Sequence, residues 1–150
     1  MAFAAPSLKG RALRLLGQRE HSRAELERKL AQYEEEPGTL ARALDELAAK
    51  DFISEARVVE SVLHQRAPRL GAMRVRQELV QKGIAPEAIA QAVAALQATE
   101  LERAHEVWRR RFAAPAQDAS GRAKQARFLL ARGFAGSVVA KVLRGAEPDE

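Results

Sequence analysis

Glu78-Leu79-Val80-Gln81-Lys82-Gly83-Ile84 and Phe128-Leu129-Leu130-Ala131-Arg132-Gly133-Phe134 stand at a constant offset of 50 residues and carry the same local instruction twice. Leu79 meets Leu129, Lys82 meets Arg132, Gly83 meets Gly133 and Ile84 meets Phe134. A glycine just past a helix can take the left-handed conformation that closes it, and an apolar residue after it then packs back onto the last turn. Counted back from the glycines, Leu79 and Leu129 are the residues so covered. Lys82 and Arg132 fall at the C-cap, where the helix dipole favours a cation. The next helix keeps step, with Ile89 against Val139 and Val93 against Leu143. The spacing therefore predicts two copies of a helix–tight turn–helix unit, an array rather than a single core.

A weaker third copy lies upstream. Glu25-Leu26-Glu27-Arg28-Lys29-Leu30 matches Glu78 to Gly83 at an offset of 53, with Leu30 where glycine is expected. There the helix is expected to run on to about Tyr33 and to break at Pro37-Gly38. Helical spacing fills the rest. Leu8, Ala12, Leu15 and Leu16 form a first stripe, and Ser22-Arg23-Ala24-Glu25 reads as a capping box opening a second helix. Leu40, Leu44 and Leu47 mark a third helix. Ser54 caps a fourth through Val58 and Val62 to Pro68, and Gly71 to Lys82 is a fifth. Pro86 starts a sixth. Thr99-Glu100-Leu101-Glu102 reads as a second capping box opening a seventh to about Phe112, the eighth spans Ser120 to Arg132, and the ninth Ala135 to Leu143. Nine helices fall into three groups of three, at 7–53, 54–98 and 99–144, with 145–150 a disordered tail.

Composition narrows the class. The chain has 150 residues, 47% hydrophobic but only 5% aromatic, so thin helix–helix interfaces are expected instead of one thick core. Cysteine is absent, which removes disulfides, zinc fingers and thiol chemistry. His21, His64 and His105 show no ligand spacing, no phosphate-binding glycine loop follows a strand, and no nucleophile motif appears; neither metal, cofactor nor catalysis is expected. Glu34-Glu35-Glu36, beside a turn, reads as a solvated cluster. Met1 to Pro6 carries no signal-peptide pattern and no apolar run approaches a membrane span, so a cytoplasmic protein is expected. Trp108 and Phe112, four apart, read as core. Phe128 either widens the third group's apolar face or stands exposed as an anchor.

In order, these blocks resemble the RecX family. Its opening reads here as Arg11-Ala12, Leu15-Leu16, Arg19-Glu20 and Ser22-Arg23-Ala24-Glu25-Leu26. Its central block reads as Glu78-Leu79 with Lys82-Gly83-Ile84, and its last block as Lys124 to Phe134. One departure stands at the fourth helix, where Ser54-Glu55-Ala56-Arg57-Val58-Val59 replaces an Asp-x-Arg-Phe-Ala-like start; serine still caps. The resemblance implies an all-α tandem array of three three-helix repeats, elongated and curved. It implies a regulator of the RecA recombinase, mainly an inhibitor. Such a protein docks in the groove of the RecA–single-stranded DNA filament and modulates ATPase activity, strand exchange and filament stability in DNA repair and the SOS response.

The charge pattern says where to look. Net charge is +5, yet residues 1–53 balance nine bases against nine acids. Residues 54–98 carry six against four and 99–150 ten against seven, so the excess lies in the second and third groups. Candidate contacts for the partner or for DNA are Arg74, Arg76, Lys82, Arg109, Arg110, Lys124, Arg127 and Arg132, each a partner contact or part of a plain solvated face. A different class, a helix-turn-helix-like protein acting directly on single-stranded or duplex DNA, needs Arg, Asn or Gln opening a recognition helix. The starts Ala85-Pro86-Glu87-Ala88 and Ala135-Gly136-Ser137-Val138 carry none. A helical adaptor for another protein is the third class. A monomer is expected.

Overall fold

The computed structural model describes residues 5–145. Among them are nine α-helices and no strand: α1 (Leu8–Leu16), α2 (Arg23–Leu30), α3 (Thr39–Ala49), α4 (Glu55–Arg66), α5 (Ala72–Gln81), α6 (Pro86–Gln97), α7 (Glu100–Arg111), α8 (Ala119–Ala131) and α9 (Gly136–Leu143). The fold is all-α and built of consecutive three-helix groups. The expected tail falls almost wholly outside the described residues.

Most helix ends follow the residues that predicted them. The Ser22 hydroxyl accepts from the Glu25 N–H at 3.1 Å while the Glu25 carboxylate accepts from the Ser22 N–H, closing the capping box. The Ser54 hydroxyl accepts from the Arg57 N–H, and Pro86 is the first residue of α6. Gly133 has φ +88°, its N–H donates to the Leu130 carbonyl, and the Phe134 N–H reaches back to Leu129. That is the paired ending expected of α8. Gly83 is likewise left-handed, at φ +73°. Without a glycine at Leu30, α2 relaxes into a 3-10 turn over Ala31–Tyr33, close to the expected limit.

Three local readings need correction. Thr99 makes no side-chain cap; its hydroxyl accepts from Arg103 instead, and Glu102 is exposed. The α8 N-cap is Asp118, whose carboxylate accepts from the Gly121 N–H, so the helix begins at Ala119 and not Ser120. Glu34 is no idle member of its cluster, because its carboxylate accepts from the Leu40 N–H at 2.8 Å and caps α3.

The chain forms two compact units. The first runs to Ser61 and includes Gln81–Ile84. Its core is Ala12, Leu26, Leu30, Leu40, Leu44 and Leu47, flanked by Leu8, Leu13, Leu15, Leu16 and Ile53. Here α3 ends on Asp51, left-handed at φ +65°, with the Phe52 N–H donating back to Leu47. Aspartate is one of the few residues that tolerates this conformation. The second unit holds Val62–Val80 and the chain from Ala85. One of its cores is Ala104, Val107, Trp108, Leu129, Phe134, Val139 and Val142. Buried Trp108 donates its indole N–H to Gln125, and the Gln125 amide donates in turn to the Ala114 carbonyl. A core that would strand a polar N–H thus satisfies it and ties down the loop before α8. Phe128 packs edge-on against Phe112 at 5.2 Å, widening this core as one of its two expected roles requires.

Candidate partner-binding face

In the second unit the start of α5 rests on the end of α8. The Gly71 and Met73 N–H groups donate to the carbonyls of Arg132 and Gly133 at 2.8 and 3.2 Å. The Ala72 N–H donates to the buried Glu100 carboxylate at 3.0 Å. The Arg74 guanidinium donates to the Ala131 carbonyl at 2.7 Å. A helix start offers free N–H groups and a helix end free carbonyls, so each supplies what the other lacks. The contact is close enough that a Cβ at Gly71 would collide with the Gly133 carbonyl.

Beside this junction, Arg103 of α7 donates to the carbonyls of Ala67, Leu70 and Leu96 at 2.9, 2.7 and 2.8 Å. It thereby ties the segment after α4 and the end of α6 to α7. Burial holds the Arg103 guanidinium below its ordinary pKa, with the Glu100 carboxylate pulling the other way. Sequence reasoning missed both residues. It took Glu100 for part of a local capping box, when it caps a helix 28 positions away. Their only sequence signal is a Glu and an Arg three apart at a helix start, which ordinary surface pairs share.

Five of the sequence-predicted cations have work inside the molecule. Arg74 closes the junction. Lys82, in the first unit, lies 3.1 Å from the Glu25 carboxylate with its side chain 18% exposed. Arg132 stacks on the Phe128 ring at 3.7 Å, with Arg111 5.8 Å from the same ring. Arg109 and Arg110 both reach Glu106, at 2.8 and 3.2 Å, and Arg109 draws the half-buried Glu106 carboxyl below its ordinary value. Arg76, Lys124 and Arg127 differ: all three are exposed and none is in an ion pair among the described residues.

The same two helices carry unburied apolar side chains. On α5, Met73 and Val80 are 60% and 50% exposed and stand three before and four after Arg76. On α8, Leu130 is 48% exposed and follows Arg127 by three. Positions three and four apart share a helix face, so each stripe mixes apolar contact area with uncompensated positive charge. Such a surface can bind; it presents no group placed for bond chemistry. Among the described residues no cluster of His, Asp and Glu could hold a metal, and no helix is long and apolar enough to cross a membrane.

Comparison with known proteins accounts for this architecture. Residues 9–47, 54–93 and 98–143 match, in order, the first, second and third three-helix domains of RecX. The chain is 55% identical over 141 residues to the regulatory protein RecX of Leptothrix cholodnii, covering 94% of this chain and 90% of that one. It is 48% identical over 150 residues to the regulatory protein RecX of Herminiimonas arsenicoxydans, covering 100% and 99%. The crystal structure of RecX from Lactobacillus salivarius superposes with a TM-score of 0.74 at 19% identity, over 92% of this chain and 93% of that one, a likeness of fold. Three domains matched in order and close relatives along nearly the whole length lead to one conclusion: this chain belongs to the RecX family of regulatory proteins.

Proposed function

We propose that this chain regulates a RecA recombinase by docking on the RecA–single-stranded DNA filament, where it slows ATP turnover and strand exchange and lowers filament stability. It acts by binding alone, as a cytoplasmic monomer with no chemistry of its own. The observation that supports this reading most directly is the pair of stripes on α5 and α8, where exposed Met73 and Val80 flank Arg76 and exposed Leu130 follows Lys124 and Arg127, none of these cations being in an ion pair among the described residues. Apolar anchors give such an interface its affinity, and surrounding charge speeds and orients encounter with an acidic partner. Among the eight cations singled out from sequence, these three are the proposed contacts; Arg74 and Lys82 support the scaffold.

The test is a RecA ATPase assay on single-stranded DNA. The unaltered chain is expected to inhibit at micromolar concentration or below. Reversing Arg76, Lys124 and Arg127 together to glutamate is expected to weaken inhibition by about tenfold or more, as loss of several charge-assisted contacts does. Full inhibition by the triple variant would remove this face from the proposal, and no inhibition by the unaltered chain would remove the function.

A further inference from the structure

The first unit holds an open hollow of about 370 Å³ between α1 and the end of α2. Arg11 and Arg14 line it from α1 and Gln18 from the turn after it, and Lys29 and Tyr33 line it from α2 and its 3-10 turn. Positions 11 and 14 lie three apart on α1 and so share one side of that helix.

This region of the chain is neutral by composition, and the structure shows how the neutrality is divided. Glu20, Glu25, Glu27, Asp45, Glu46 and Asp51 are all in ion pairs with Arg57, Arg19, Lys82, Arg23 or Lys9. Arg11, Arg14 and Lys29 appear in none of the ion pairs among the described residues. Three uncompensated cations therefore converge on one concavity.

Two of them are held in place without being neutralised. The Arg11 guanidinium lies 3.8 Å over the Tyr33 ring, which fixes both planes and leaves the edge donors of the guanidinium free. The Lys29 ammonium sits 3.2 Å from His21 Nε2, while His21 Nδ1 lies 3.0 Å from the Arg19 carbonyl. Burial lowers the His21 pKa, so the neutral ring donates through Nδ1 and accepts from Lys29 through Nε2. Tyr33 also lines a second hollow, where Glu35 and Glu36 disfavour an anion.

We propose that this hollow binds a nucleotide, its phosphate held by Arg14 and Lys29 and its base laid over the Arg11 guanidinium, which the Tyr33 ring backs. Cations alone would suit any anion. The guanidinium plane held flat on Tyr33 selects a planar group beside the phosphate, and the volume falls in the range of roughly 300–1,000 Å³ usual for small-ligand sites. The nucleotide is either free or one link of a single strand, since stacking on a guanidinium plane beside further cations serves both. The site shares no residue with the α5–α8 face and does not rest on the recombinase reading.

Tyr33 is the chain's single tyrosine, so replacing tyrosine by a ring-fluorinated analogue places one fluorine reporter in the hollow. Titration of the full chain with adenosine monophosphate, a short oligothymidylate and inorganic phosphate then reads the site. A shift with both nucleotide probes supports a site for free nucleotides, and a shift with the oligonucleotide alone supports one for a strand. In either case Arg14→Ala and Lys29→Ala, both at exposed positions, are expected to weaken binding by about tenfold each, while Arg42→Ala on α3 leaves it unchanged. The proposal is overturned if neither nucleotide moves the signal below about 1 mM. It is equally overturned if inorganic phosphate produces the same shift, or if Arg42→Ala weakens binding as much as Arg14→Ala.

Discussion

Glu25 shows how much one side chain can carry. It is buried, and burial by itself opposes its ionisation; hydrogen bonds from Arg19, the Ser22 N–H and Lys82 outweigh that and hold its pKa at about 2. A carboxyl whose pKa is depressed in the folded state stabilises the fold above its ordinary value of 4.5, and that contribution disappears as pH falls toward 2. Stability measured in urea is expected to drop by on the order of 2 kcal/mol across that window, and Glu25→Gln should remove most of the slope. Arg103 is the counterpart in the second unit. Arg103→Met leaves three carbonyls without their shared donor and is expected to cost about 2–3 kcal/mol by urea denaturation. Arg103→Lys should recover only part of this, since one ammonium cannot match the fork of a guanidinium.

At the scale of helices, the junction of α5 and α8 turns on two glycines for different reasons. Gly133 is left-handed and lies against Arg74, whereas Gly71 only needs to lack a Cβ. Gly71→Ala and Gly133→Ala are each expected to lower thermal stability by about 3 kcal/mol or more, since neither obstacle is a movable side-chain end alone. Gly38→Ala, with the same sign of φ but open space around it, should cost only about 1 kcal/mol. The contrast marks what was legible beforehand. Helix starts at Ser22, Ser54 and Pro86 and the ending at Gly133 follow from residues within one turn, so they could be read directly. Glu100 capping α5, Arg103 joining three segments and Gly71 meeting Gly133 depend on approaches between distant residues, which no local spacing encodes. The candidate site divided in the same way. Cations could be counted from sequence, but Arg74 and Lys82 are distinguishable from Arg76 and Arg127 only by what lies opposite them.

For the molecule as a whole, the charge of +5 is less telling than which charges have partners. Exposed, unpaired cations act at the range of the ionic atmosphere, about 10 Å at 0.1 M salt. Binding to the recombinase filament is accordingly expected to weaken as salt rises, mainly through slower association; the triple glutamate variant should lose most of that dependence. Surface plasmon resonance across a salt series checks both, and a salt-independent association rate would contradict the electrostatic part of the proposal. The seat of α5 on α8 also has a signature in time. First-turn amides of a helix ordinarily exchange their hydrogens freely with water. Here those of Gly71, Ala72 and Met73 are all engaged, two of them by the end of a helix far along the chain. They can exchange only when that joint opens, so hydrogen–deuterium exchange should find the three amides slow and matched in rate, releasing together as one cooperative unit.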